Sequence, residues 1–87
     1  MAQHGRTPRQ AIRLAMDSPE RWVIEFNYTD ARGNETHRTV SPVRWKNEHI
    51  FTALCLRREA CRTFKLSHCR NIVVRPAADV MMGETPR

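Results

Sequence analysis

Between Arg21 and Pro76 the chain reads as five strand-length segments with almost nothing between them. The first, RWVIEFNY, alternates strictly. Trp22, Ile24, Phe26 and Tyr28 fall on one side, and Val23, Glu25 and Asn27 on the other, which is the period of a strand with one buried face. TDARGNE supplies Asp30, Gly33 and Asn34, residues that tolerate positive φ, and so turns the chain into a return strand, THRTVSPVRW. Pro42 in that strand has no N–H for a ladder, so an edge, a bulge or a bend is expected there. KNE leads into HIFTALCL and RRE into ACRTFKL, while SHCR is long enough only for a single helical turn. NIVVRP is the last strand, ended by Pro76. Few topologies bury five short antiparallel strands in so short a chain. The small, strongly bent barrel is the expected solution.

One helix precedes the strands. In TPRQAIRLAMDSP, Thr7 can cap, Pro8 suits the first helical position, and Gln10 completes a Thr-x-x-Gln capping box. Ala11, Ile12, Ala15 and Met16 make one narrow apolar stripe, and Pro19 stops the helix. The class is therefore mainly β (α+β), an N-terminal helix on a five-stranded antiparallel barrel. Residues 1–6 are expected to form a flexible arm, 7–76 a single barrel domain, and 77–87 a partly ordered tail in which Ala77, Val80, Met81 and Met82 offer apolar groups. No apolar run is long enough to span a bilayer and no apolar signal region follows the start, so a cytoplasmic, membrane-free protein is expected.

The stretch CLRREACRTFKLSHCRN, Cys55–Asn71, holds all three cysteines and poses a choice between a metal loop and a hairpin that displays arginine. Zinc knuckles place two to four residues between paired cysteines, whereas five and seven separate these. Cys55 also lies in an apolar strand, where free cysteine acts as a small hydrophobe. Neither a metal nor another cofactor is expected. Cys61 or Cys69 could be set beside His68 or His37 as a nucleophile with its base. Yet the chain has no phosphate-cradling loop, no close carboxylate pair and no nucleophile elbow, so no enzyme is expected either.

The arginines remain. Fifteen basic residues against nine acidic ones give a net charge of +6, and thirteen of the fifteen are arginine. Such a balance points to an anionic partner, because the planar guanidinium suits phosphate and stacks on bases. Arg62 is in phase with Phe64 and Leu66, and Arg38 with Val40 and Pro42, so both share the parity of the core. A charge in that phase must reach a barrel mouth or find a partner. The competing account pairs Arg38 or Arg62 with Glu25, Glu35 or Glu59 across strands. The expected binding set is Arg38, Arg57 and Arg62 around the mouth, with Trp45, His49 and Lys65 beside them.

The residues from Ala11 to Ile72 resemble the WYL domain of bacterial transcriptional regulators, which is also fused to some helicases and nucleases. The likeness rests on VIEFNY, on HRTVSP, and above all on ALCLRREACRTFKL running into NI, with Arg57, Arg62, Phe64 and Leu66 in the family's pattern. The eponymous Trp-Tyr-Leu is replaced by His49, Ile50 and Phe51, and the Asp-Arg-Ile that often follows the last motif by Ser67, His68 and Cys69. The resemblance implies an Sm-like, Src-homology-3-like barrel that binds nucleic acid or a nucleotide-like ligand in transcription regulation or DNA processing. Single strands are the expected ligand, since small barrels stack bases while tracking phosphates. Family members usually carry a helix-turn-helix domain before the barrel and a further domain after it. A stand-alone copy is therefore expected to work with a separate helix-turn-helix, helicase or nuclease protein. The alternative is a protein-interaction or oligomerisation module, a homodimer included, acting through an exposed strand edge.

Overall fold

The computed structural model describes residues 6–57 and 59–83. Residues 1–5 of the expected arm and 84–87 of the expected tail lie outside them. The elements are α1 (Pro8–Asp17), β1 (Trp22–Thr29), β2 (Glu35–Trp45), β3 (Ile50–Cys55), β4 (Ala60–Lys65), a 3₁₀ turn (Leu66–His68), β5 (Cys69–Pro76) and α2 (Ala77–Gly83).

Helix α1 starts where its capping box dictates. The Gln10 N–H donates to Thr7 Oγ1 at 3.0 Å, and the Thr7 N–H donates back to Gln10 Oε1 at 2.9 Å, so two otherwise orphaned amides are satisfied. Ala11, Ile12 and Ala15 are buried against the sheet and Met16 is half-buried. The β1–β2 turn is an Asx turn. Asp30 Oδ1 accepts from the amides of Arg32 and Asn34, both at 2.9 Å, and Gly33 takes φ +89°. The amide of Asn34, foremost among these donors, holds the Asp30 carboxyl below its ordinary range.

All strand pairs are antiparallel, in the order β4-β3-β2-β1-β5. Two bulges shape the sheet. Pro42 pairs with Ala53 and Arg44 with Thr52, so Val43 is an extra residue on β2, and it stands 50% exposed. The bulge expected at Pro42 lies directly after it and has a second effect. It reverses the parity of β2, so Val40 and Trp45 face the same side although one is even and the other odd. On β5, Asn71 and Ile72 together oppose Phe26, and Asn71 takes φ +56°.

The sheet is rolled. Strands β1 and β4 are three places apart, about 14 Å in a flat sheet. Yet the Phe26 and Phe64 rings meet edge to face at 5.3 Å, and Tyr28 and Phe64 at 5.0 Å. With Phe51, Ile12, Ile24 and Val40 these rings form the core, and α1 covers one end of it.

The expected closed barrel is corrected in one respect: the ladder stays open. β4 and β5 are the two edges, and they do not pair although only the three-residue 3₁₀ turn joins them. The gap is bridged by a side chain, because the Lys65 N–H donates to the Tyr28 hydroxyl at 3.2 Å. A tyrosine standing across the gap spaces the backbones beyond the ~4.8 Å that a ladder requires. On the outer face Val23 packs with Ala77 and Val80 of α2 and with Leu56, a small second cluster.

The left-handed residue at the β5 bulge yields a test. Asn71→Gly should leave stability nearly unchanged, whereas Asn71→Val should cost roughly 1–2 kcal/mol, since a β-branched side chain resists positive φ. Urea denaturation of the two variants measures the difference. Equal stability would mean that the bulge relaxes.

Candidate ligand-binding face

Strand β2 outruns its neighbour. Its eleven residues pair with β1 from Glu35 to Val40, but β3 reaches only from Trp45 back to Val40. Beyond that point the Leu56 N–H donates to the Thr39 carbonyl at 3.2 Å, and the Glu59 N–H to the Cys55 carbonyl at 2.7 Å, turning the chain away into β4. The departure leaves a hollow of about 170 Å³ lined by Thr36, His37, Arg38, Thr39, Cys55 and Arg57.

Arg38 is the pivotal side chain here. It stands opposite Phe26 on the inner face, half-buried, in the phase its sequence predicts. Its guanidinium lies 6.0 Å over the Phe64 ring, and its Nε donates to Thr36 Oγ1 at 3.1 Å. Arg62 lies opposite Ala53, two residues before Phe64 and on the same face, and it is exposed. Arg57 sits on the turn after β3 and lines the hollow with Arg38. Arg38 and Arg62 thus share the inner face with Phe64, and Arg57 meets Arg38 at the hollow.

The competing ion-pair account is not realised. Both ion pairs among the described residues use Glu25, with Arg75 at 2.9 Å and His37 at 3.6 Å, on the opposite face. Alternation along β1 puts Glu25 on the side away from Phe26, so its carboxylate cannot reach Arg38. Among the described residues neither Glu35 nor Glu59 pairs with an arginine, and no charged side chain is buried.

The other expected site residues lie elsewhere. The Val43 bulge turns Trp45 inward, but at the α1 end, where the Arg9 guanidinium sits 4.8 Å above its ring and the Phe51 ring 5.7 Å away. His49 occupies the β2–β3 turn. It is exposed, its N–H donates to Asn47 Oδ1 at 2.7 Å, and its carbonyl accepts from the Leu66 N–H at 2.8 Å. Lys65 pairs with Ile50 and points to the face opposite Phe64. Counting along β3 and β2, six residue steps separate the Trp45 level from Arg38, on the order of 20 Å. One expected mouth is therefore two clusters on the rim of one face.

Sequence reasoning left Thr36, Thr39 and His68 out of the site. His68 is half-buried, with Nδ1 3.0 Å from the Thr29 carbonyl and its ring 5.9 Å from that of Tyr28. The signal for the two threonines was the mismatch in length between β2 and β3, visible only once the register is known.

No group of three metal-binding side chains occurs among the described residues. All three cysteines are free: Cys55 buried, Cys61 exposed and Cys69 half-buried. Cys69 Sγ donates to the Lys65 carbonyl at 3.5 Å, and burial pushes its thiol up to about 12. No helix among the described residues is long and apolar enough to cross a membrane.

The class the fold defines is a small, rolled antiparallel sheet domain with a helix at one end and an arginine-lined opening at the other. Comparison with known families makes this specific. The model of the WYL domain matches residues 10–74, and the chain belongs to that family. Among solved structures it is similar to proteasome accessory factor B/C (PafBC) of Arthrobacter aurescens, with 24% identity and a TM-score of 0.59. The match covers 84% of this chain and 12% of that one, so the likeness concerns the fold of a single segment of a much longer protein. No curated protein matches the sequence.

The cysteines give a test of burial. At pH 8 an alkylating reagent should modify Cys61 quickly and Cys69 only slowly, because a thiol raised to about 12 holds almost no thiolate. Mass spectrometry of the time course reads the order. Equal rates in the folded protein would contradict the packing around β5.

Proposed function

We propose that this WYL domain is a non-enzymatic sensor that binds single-stranded nucleic acid, or a nucleotide-like anion, at the inner-face patch of Arg38, Arg57 and Arg62. The carrying observation is Arg38, a half-buried guanidinium over an aromatic ring with no carboxylate partner among the described residues. A guanidinium so placed has most of its donors unspent and is held by packing, which is what phosphate recognition asks of it. Thr36, on the same face as Arg38, adds a hydroxyl to the hollow, and the rings of Phe64 and Tyr28 give the patch an aromatic floor. We read the rolled sheet as a gapped Sm-like, Src-homology-3-like barrel, with residues 7–76 as the working unit. In the transcriptional or DNA-processing setting of the family, a helix-turn-helix, helicase or nuclease unit would read its occupancy.

The strand-edge reading is weaker. Edge strand β4 has five of its six residues exposed, but Arg62 and Lys65 stand on it. Charged residues on an edge discourage pairing with another strand.

Fluorescence anisotropy with single-stranded DNA, single-stranded RNA and duplex at two salt concentrations tests the proposal. Single strands should bind best, and affinity should fall steeply as salt rises. Arg38→Ala and Arg62→Ala should each weaken binding by ~1–3 kcal/mol and lower the salt slope by about one. Arg62→Ala should leave thermal stability intact, and Arg38→Ala should lose only the ~0.5–1 kcal/mol of its contact with Phe64. Salt-independent binding, or variants that bind like the parent, would overturn the assignment.

A further inference from the structure

The rim of the inner face carries a second basic cluster, built on α1 and not on the strands that shape the hollow. Arg9 is its centre. Its guanidinium rests 4.8 Å above the Trp45 ring and donates to the carbonyl of Glu48, so a long exposed side chain is held between the end of β2 and the turn that follows it. An arginine merely solvated would sample many rotamers; this one has already lost that freedom, and a ligand would not have to order it. One hydrogen bond to Glu48 leaves most of the five guanidinium N–H groups unspent, and the plane over the indole offers a surface on which a base can stack. Arg13 lies one turn further along α1 on the same face, and Lys46 follows Trp45; both are exposed, and neither forms an ion pair among the described residues. The acids nearby are Glu48, exposed on the turn, and Asp17, at the far end of the helix. Positive charge prevails.

Register places this cluster relative to the hollow. Trp45 pairs with Phe51 at one end of β3, Arg62 faces Ala53 in its middle, and Arg57 follows Cys55 at its other end. Guanidinium groups thus recur along one rim over on the order of 20 Å. Phosphates on one strand of a stacked nucleic acid rise ~3.4 Å each, so about six would span the interval.

We infer that a single nucleic-acid strand crosses the whole rim, with one end in the Arg38–Arg57 hollow and the other on the Arg9–Trp45 platform beside Arg13 and Lys46. The inference rests on the reading of the hollow given above and extends it to a second contact and a minimum ligand length.

Oligothymidylates of about three, six and twelve nucleotides, titrated against the full chain at low salt, test it. Affinity should rise roughly tenfold or more between the shortest and the six-nucleotide ligand. The double variant Arg13→Glu/Lys46→Glu, which leaves the Arg9–Trp45 contact in place, should lose most of that gain while binding the shortest ligand as the parent does. Arg9→Ala should do the same and lower the salt slope for the long ligand by about one. A length-dependent gain that survives both variants overturns the second contact alone. So does an equal loss for short and long ligands, which would make α1 a support for the fold. Failure of the parent to bind even the longest ligand overturns the reading of the hollow instead.

Discussion

The meeting of Phe26 and Phe64 is what the remaining features depend on. Their rings touch at 5.3 Å although β2 and β3 lie between their strands, and that contact requires the sheet to roll. Each such aromatic pair adds about 0.5–1.5 kcal/mol to the burial of the rings themselves. Rolling in turn requires relief along the strands, and the extra residues at Val43 and Asn71 supply it. Helix α1 fills one end of the rolled face with Ala11, Ile12 and Ala15. No helix among the described residues covers the other end, where Arg38 and Arg57 line the hollow together with Thr36.

Electrostatics follows from the same geometry. Alternation sends Glu25 to the outer face, where Arg75 and His37 meet it. The inner face receives Arg38 and Arg62 from strands whose other inward residues, Thr36 apart, are apolar or aromatic. A fold built for stability alone would have little reason to aim unpaired guanidinium groups at its own aromatic core. Arg38 sits where an anion could complete its shell, over the edge of a core that does not need it.

Much of this was legible in the chain. The capping box at Thr7–Gln10 fixed the helix start, the period of two in β1 fixed its buried face, and Pro42 announced the bulge. The parity of Arg38 and Arg62 with their apolar neighbours marked the open patch. What could not be read depended on contacts distant in sequence. Trp45 was expected beside the mouth. It faces inward at the α1 end of β2, six residue steps from Arg38, because the length of the strand and the place of α1 fix its distance. The open ladder between β4 and β5 hinges on a single hydroxyl, that of Tyr28, reaching across from another strand. Helix α2 is only seven residues long, too short for a helical period to announce itself although Ala77 and Val80 are apolar, and it shows only once Val23 is placed on the outer face.

The central claim is that the unpaired arginines of the inner face are there for a ligand. The most direct measurement is a heteronuclear NMR titration of the isotopically labelled chain with oligothymidylate, following backbone amides and arginine Nε–Hε groups together. The account predicts that the largest shifts fall on Thr36, Arg38, Arg57 and Phe64, with the Arg38 Nε–Hε signal among the first to move. Shifts confined to the outer face, around Glu25, Thr63 and Arg75, or to α2, would contradict it.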